Sequence, residues 1–172
     1  MTFNKYKKYG DYHWREFERP SIYRSHALKV KSWITEDVGL DVGCGDGLIT
    51  HLLGMGWSGL DADDLAVTLA QRHGVRAILG SIYELAGYFE AVYCGDVLEH
   101  LEYPGAALQA IANITSVLYL ATPPRRGQLR PHHIYEWTAL ELPSYMAAHG
   151  WTLIGDVEIE NDRIYGKFEQ IH

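Results

Sequence analysis

The stretch Leu40-Asp41-Val42-Gly43-Cys44-Gly45-Asp46-Gly47 decides the fold. A short strand around Gly39–Val42 runs straight into alternating glycines. Leu48, Ile49, Leu52 and Leu53 then fall on one face of a short helix. Glycines let the backbone take positive φ and come close to a ligand. The helix start beside them adds unpaired N–H groups. The spacing is G-x-G-x-G. The dinucleotide pattern would need another glycine where Leu48 stands. A second strand, Trp57–Asp61, ends in an acid placed to accept from vicinal ribose hydroxyls. The alternative reading is a plain strand-to-helix turn with a surface acid nearby.

Working outward, strands alternate with helices, which predicts an α/β sandwich around a mostly parallel sheet. Residues 1–20 are polar and aromatic and read as a loosely ordered arm closed by Pro20. From Ser21 to Ile34, the residues Ile22, His26, Val30, Trp33 and Ile34 recur at helical spacing, with Ser21 as cap. Helices are expected over Asp63–His73, Ala106–Ala112 and Thr138–His149, the last ended by Gly150. Strands are expected over Val75–Leu79, Phe89–Cys94 and Ser116–Ala121, with a helical turn at Asp96–Leu101. Trp151–Glu160 and Arg163–Glu169 flank the turn Glu160-Asn161-Asp162 and should pair antiparallel.

The 172 residues have room for one domain that buries about two-thirds of its unfolded surface. With 47% apolar and 22% charged residues, the composition is globular and not disordered. No apolar run reaches the roughly 18 residues of a membrane helix, and no apolar stretch follows the basic start. Two cysteines build no disulfide framework, so a cytoplasmic setting is expected. Cys44 and Cys94 read as small packing residues, and the tryptophans as packing at element edges. The net charge of −7 gives no bulk attraction to nucleic acid.

LDVGCGDG, then GLDAD, then YCGDVLEHL resemble, in order and spacing, the successive motifs of class I S-adenosylmethionine-dependent methyltransferases. The resemblance runs from about Leu40 to the C-terminus. It implies a Rossmann-like, doubly wound seven-stranded sheet, mostly parallel with the last strand antiparallel, in a three-layer sandwich. It implies S-adenosyl-L-methionine as cofactor. Asp41 and the backbone of Gly43, Cys44 and Gly45 would hold its methionine part. Asp61 would take the ribose hydroxyls, Ala62 would lie against adenine, and Ser81 and Ile82 would meet the adenine edge. Many relatives carry an acid where Ser81 stands. Residues 1–36 would form an arm and lid helix before a cofactor-binding domain over 37–172, with Arg24 placed to pair with the methionine carboxylate.

The segment Asp96-Val97-Leu98-Glu99-His100 follows the fourth strand, and Pro131-His132-His133-Ile134-Tyr135-Glu136-Trp137 follows the fifth. On a helix, positions 96, 99 and 100 share a face. Both segments should open at the carboxyl edge of the sheet. Three readings stand side by side. Asp96 and Glu99 form a helix capping box; or His100 or His133 removes a substrate proton; or Glu99, His100 and His133, with or without Asp96, hold a divalent metal such as Mg²⁺. Asp-x-x-Glu-His resembles an element of magnesium-dependent quinone-precursor O-methyltransferases and of small-RNA 3′-end 2′-O-methyltransferases. The latter also carry a segment similar to His133–Thr138. Asp96 stands where both groups usually have glutamate.

Thr122-Pro123-Pro124 follows the fifth strand and reads as a rigid turn. Base methyltransferases carry their prolyl pair after the fourth. No insert is large enough for a separate substrate domain. The expectation is O-methylation of a small-molecule hydroxyl. Methylation of an RNA 3′ end is the rival, for which Arg125, Arg126 and Arg130 speak. A catalytically silent cofactor-binding subunit is the third reading. It would be expected to have lost the histidines. Membrane partners are not expected, and the oligomeric state is open.

Overall fold

The computed structural model describes residues 5–171, so Met1–Asn4, the first part of the expected arm, lie outside the described residues. The expected sheet is present. Seven strands lie in the order β3-β2-β1-β4-β5-β7-β6: β1 (Gly39–Val42), β2 (Trp57–Asp61), β3 (Ala77–Leu79), β4 (Ala91–Gly95), β5 (Val117–Thr122), β6 (Trp151–Glu160) and β7 (Arg163–Gln170). Strands β1 to β5 pair in parallel, and β7 pairs antiparallel with both β5 and β6. The strand order reverses between β1 and β4, so their carboxyl ends open a crevice of the kind that takes ligands in such sheets. Asn161 and Asp162, at φ 50° and 59°, make the tight turn that sends β7 back between β5 and β6.

Alternation along the strands builds two apolar layers. Leu40, Val42, Val92, Cys94, Leu118 and Leu120 face the helices α6 (Pro104–Ala112) and α7 (Glu141–Ala147). Tyr93, Tyr119, Ala121 and Tyr165 face α3 (Ile22–Trp33) and α4 (Leu48–Leu53) on the other side. Strands covered on both faces read as continuous apolar runs, which is why SVLYLA was legible as a buried strand. Helix α5 (Asp64–Arg72) packs beside them through Val67 and Ala70 onto Val75 and Ala77. No helix among the described residues is long and apolar enough to cross a membrane.

Three expectations are corrected. The arm is not loose: it forms α1 (Lys5–Tyr9) and α2 (Tyr12–Phe17), which bury Tyr6 and His13. The predicted helix at Thr138–His149 is shorter. Its start carries the reciprocal bonds of a capping box, with Thr138 N donating to Glu141 Oε2 at 2.9 Å and Glu141 N to Thr138 Oγ1 at 3.2 Å. The third strand starts at Ala77, because Val75 N is taken by Ala70 O in the turn that ends α5.

His26 of α3 illustrates how tightly the second layer is closed. Its Nδ1 lies 2.8 Å from Tyr165 Oη and its Nε2 3.2 Å from Tyr93 Oη. Burial, helped by the Arg163 charge, pushes its pKa down to about 3. The ring is therefore neutral, accepting from one tyrosine and donating to the other. In an NMR titration the His26 ring signals should not move between pH 8 and 5. A midpoint near 6.5 would contradict this packing.

Candidate functional site

Gly43, Gly45 and Gly47 all have positive φ, at 76°, 59° and 82°. The first two also leave room that a side chain would fill. A Cβ on Gly43 would sit 2.2 Å from Val97 Cγ2, and one on Gly45 2.1 Å from Tyr6 Oη. The turn is pinned to the end of β2. Gly43 N and Cys44 N both donate to Leu60 O, at 2.7 and 3.1 Å. Gly45 N donates to Asp61 Oδ2 at 2.8 Å, while Asp63 N donates to Asp61 Oδ1 at 2.9 Å. Asp61 thus joins the two motifs, and each carboxylate oxygen retains a free lone pair. Beneath them Asp41 is buried and accepts from Thr50 Oγ1 at 2.6 Å. Burial pushes its pKa up to about 7, and the Asp61 charge adds to the shift.

A cleft of about 540 Å³ opens above this turn, lined by Gly43, Asp61, Ala62, Ile82, Val97 and His100 among others. A smaller cavity of about 60 Å³ lies behind the turn and under the arm, where Asp41, Cys44 and Gly45 meet Tyr6, His13 and Tyr23. Most of the expected cofactor residues are therefore brought to one place. Two are not. Arg24 donates to Phe17 O at 2.6 Å and lies over the Phe17 ring, so it lines neither cavity. Ser81 accepts from Tyr83 N at 3.2 Å, tightening a turn, and it is Gly80 and Ile82 on either side that line the cleft.

The arm contributes His13 and Trp14, which the sequence grouped only among the aromatic side chains of a lid. His13 gives its backbone N–H to Asp46 Oδ2 at 3.0 Å, and its ring Nδ1 lies 2.9 Å from Asp46 Oδ1. Trp14 Nε1 donates to Asp46 O at 2.8 Å. Burial holds His13 below the usual imidazole range, although Asp46 opposes the shift. The fourth residue of the glycine turn is thus the anchor of the arm. Only the aromatic richness of residues 6–14 hinted at it.

A second cavity of about 300 Å³ adjoins the cleft and shares Lys5, Asp96 and His100 with it. Here the capping-box reading of Asp96 and Glu99 is overturned. Leu98–His100 is a 3₁₀ turn, and Asp96 has φ 54°. Asp96 instead takes Arg163 of β7 through Nε at 3.0 and 2.9 Å and Nη2 at 2.6 Å. Burial raises the Asp96 carboxyl pKa, but the Arg163 charge outweighs this and holds it below its usual range.

Glu99 is fully buried. Its Oε2 accepts from Thr122 Oγ1 at 3.1 Å, and its Oε1 has no partner. Burial and the Asp96 charge push its pKa up to about 8. Its backbone carbonyl accepts from Ile134 N and Tyr135 N at 2.8 and 3.1 Å, which carries His133 to the site. His100 and His133 stand edge to face, with ring centroids 4.7 Å apart. His100 Nδ1 is 2.9 Å from His132 O, and His133 Nδ1 is 2.6 Å from Glu136 Oε1. With Nδ1 of each ring given to an oxygen, each Nε2 is left as an acceptor. One ligand atom from each of Glu99, His100 and His133 lies within 4.8 Å of the others.

Comparison with known proteins agrees with this geometry. A family model described as a methyltransferase domain matches residues 40–117. The chain is 26% identical over 142 residues to a ubiquinone biosynthesis O-methyltransferase of Marinobacter nauticus, covering 64% of this chain and 60% of that one. It is 28% identical over 115 residues to the protein of the same name from Pseudomonas paraeruginosa, covering 56% and 49%. The chain thus spans about half to three-fifths of the length of these curated relatives. Among solved structures, magnesium protoporphyrin IX methyltransferase from Synechocystis PCC 6803 superposes with TM-score 0.74 at 16% identity, covering 96% of each chain. A possible histamine N-methyltransferase from Thermotoga maritima superposes with TM-score 0.76 at 14% identity, covering 96% and 98%. The glycine turn and the acid that pins it lie inside the segment that matches the methyltransferase-domain model, and the sheet order is the Rossmann-like fold of the S-adenosylmethionine-dependent methyltransferases on which the chain superposes.

Proposed function

We propose that the domain transfers a methyl group from S-adenosylmethionine to a hydroxyl of a small acceptor. The observation that carries this reading is the Glu99–His100–His133 cluster, which lines a cavity that shares Lys5, Asp96 and His100 with the cleft above the glycine turn. Asp61 would accept from the ribose hydroxyls, Ala62 and Ile82 would flank the adenine, and the glycine turn with Asp41 would take the methionine end. Bound there, the cofactor would supply the methyl group, and positioning of the acceptor for in-line attack would contribute much of the rate. His133 Nε2 would accept the hydroxyl proton as the oxygen–carbon bond forms and the carbon–sulfur bond breaks. Glu136 holds the ring in the tautomer that can do so.

The donor set also fits a divalent metal. Both imidazoles have their far nitrogens given to oxygens, Glu99 Oε2 is held by Thr122, and Glu99 Oε1 is buried without a partner. Such an ion, held by Glu99, His100 and His133, would lower the pKa of a hydroxyl bound beside it. Asp96 is committed to Arg163 and would not join the set.

The names of the curated relatives support a hydroxyl acceptor. The arginines that would meet RNA phosphates are each paired instead: Arg125 with Glu141, Arg126 with Asp162, and Arg130 with Glu136 and Asp162. That favours a small acceptor over an RNA end. The assembled histidine cluster speaks against a silent subunit. Labelled methyl transfer to a panel of catechols and sugars, with and without Mg²⁺ or Mn²⁺, tests the reading. His133→Ala should lower turnover by roughly 10²-fold or more, with cofactor-product affinity unchanged. Full turnover in that variant would remove the base from the account.

A further inference from the structure

We propose that Lys5 is an anion-receiving position of the cleft, its ammonium taking a carboxylate that arrives with a ligand. Helix α1 sets this residue where three cavities meet: the small one behind the glycine turn, the cleft above it, and the histidine-lined one beside it. The other fixed cations around these cavities are already answered. Arg163 is held by Asp96, and Arg126 and Arg130 by Asp162 and Glu136. Lys5 has only ring faces, with its Nζ 5.0 Å from the Tyr6 centroid and 5.8 Å from that of Tyr12. Among the described residues no carboxylate lies within ion-pair distance of it.

The neighbouring acids are engaged elsewhere. Asp46 holds His13, Asp61 holds two backbone amides, and Asp96 holds Arg163. Glu99 is buried and accepts from Thr122 Oγ1. An incoming carboxylate therefore meets a cation without displacing a carboxylate partner. The flexible stem of lysine lets the charge follow a ligand into any of the three cavities. In a chain of net charge −7, an unanswered cation at the mouth of the cleft also draws anions inward.

Two sources supply this chemistry, and the choice between them rests on the methyl-transfer reading. One is the carboxylate at the methionine end of the cofactor. The other is a carboxylate on the acceptor. Lys5→Met keeps the stem and removes the charge. The first arm compares calorimetric binding of S-adenosylhomocysteine with that of 5′-methylthioadenosine, which lacks the carboxylate. The second follows the His100 and His133 ring signals as benzoate or benzamide is added.

A loss of about tenfold for S-adenosylhomocysteine, with 5′-methylthioadenosine unchanged, identifies the cofactor as the source. Unchanged nucleoside binding with loss of benzoate but not benzamide identifies the acceptor. Lys5→Arg should restore whichever is lost. If Lys5→Met alters neither carboxylate ligand relative to its neutral counterpart, the proposal is overturned. If the wild type binds neither nucleoside, it is the methyl-transfer reading that falls, and the benzoate arm still decides the role of Lys5.

Discussion

Asp61→Ala should weaken S-adenosylhomocysteine binding by about 100-fold or more, since a hydrogen bond to a charged group contributes roughly 1.5–3 kcal/mol and two ribose hydroxyls would be lost. The effect has a second source in this structure. Asp61 also holds Gly45 N and Asp63 N, so its removal frees the turn that cradles the ligand. Asp61→Asn separates the two, because the amide oxygen can still accept from one of these groups. Its affinity should fall between those of wild type and Asp61→Ala. His133→Ala, which leaves the turn untouched, should bind the nucleoside as wild type does. Equal affinities for Asp61→Ala and wild type in calorimetry would sink the ribose assignment.

Asp46→Ala should lower stability by about 3 kcal/mol, because it strips partners from two buried donors. For a chain of this size that is roughly 10 °C in Tm. Asp46 is fully buried and accepts from both the backbone and the ring of His13. The arm should then loosen, exposing Tyr6 and Trp14 to solvent. Limited proteolysis should cut before Ser21 in the variant and not in the wild type. A Tm within a degree or two of wild type would mean that the apolar contacts of Tyr6 and Trp14 hold the arm unaided.

The sheet was legible because its signals are local. A strand covered on both faces shows as an apolar run, as in Val117–Thr122, and a turn with positive φ shows as glycine, as at Gly43, Gly45 and Gly47. Asp61 was legible because its position follows from the strand that ends there. What escaped depends on contacts between distant parts of the chain. Nothing near Asp96 announces Arg163, which stands 67 positions on and reaches it only because β7 turns back beside β5. The sequence pattern Asp-x-x-Glu admitted a capping box, yet the capping bonds occur at Thr138 and Glu141. Arg24 has the charge for a methionine carboxylate, but it donates to Phe17 O and lines neither cavity beside the glycine turn. The arm read as loose because its apolar surface is aromatic and short, without helical periodicity over enough turns to register.

His100 and His133 fell between these cases. Their types and edge placement pointed to the site. Their pairing needed the carbonyl of Glu99 to capture Ile134 N and Tyr135 N across the strand ends. The partners Glu136, Thr122 and His132 O, which leave the Nε2 atoms and Glu99 Oε1 as acceptors, are visible only in the fold.

The central claim is that the cleft above the glycine turn is a cofactor site. Calorimetric titration of the wild-type chain with S-adenosylhomocysteine tests it most directly. The account predicts one site per chain with a Kd of roughly micromolar, near −8 kcal/mol, lost in Asp61→Ala and kept in His133→Ala. No measurable heat, together with an unchanged Tm at millimolar ligand, would contradict it and leave the fold without the function read from it.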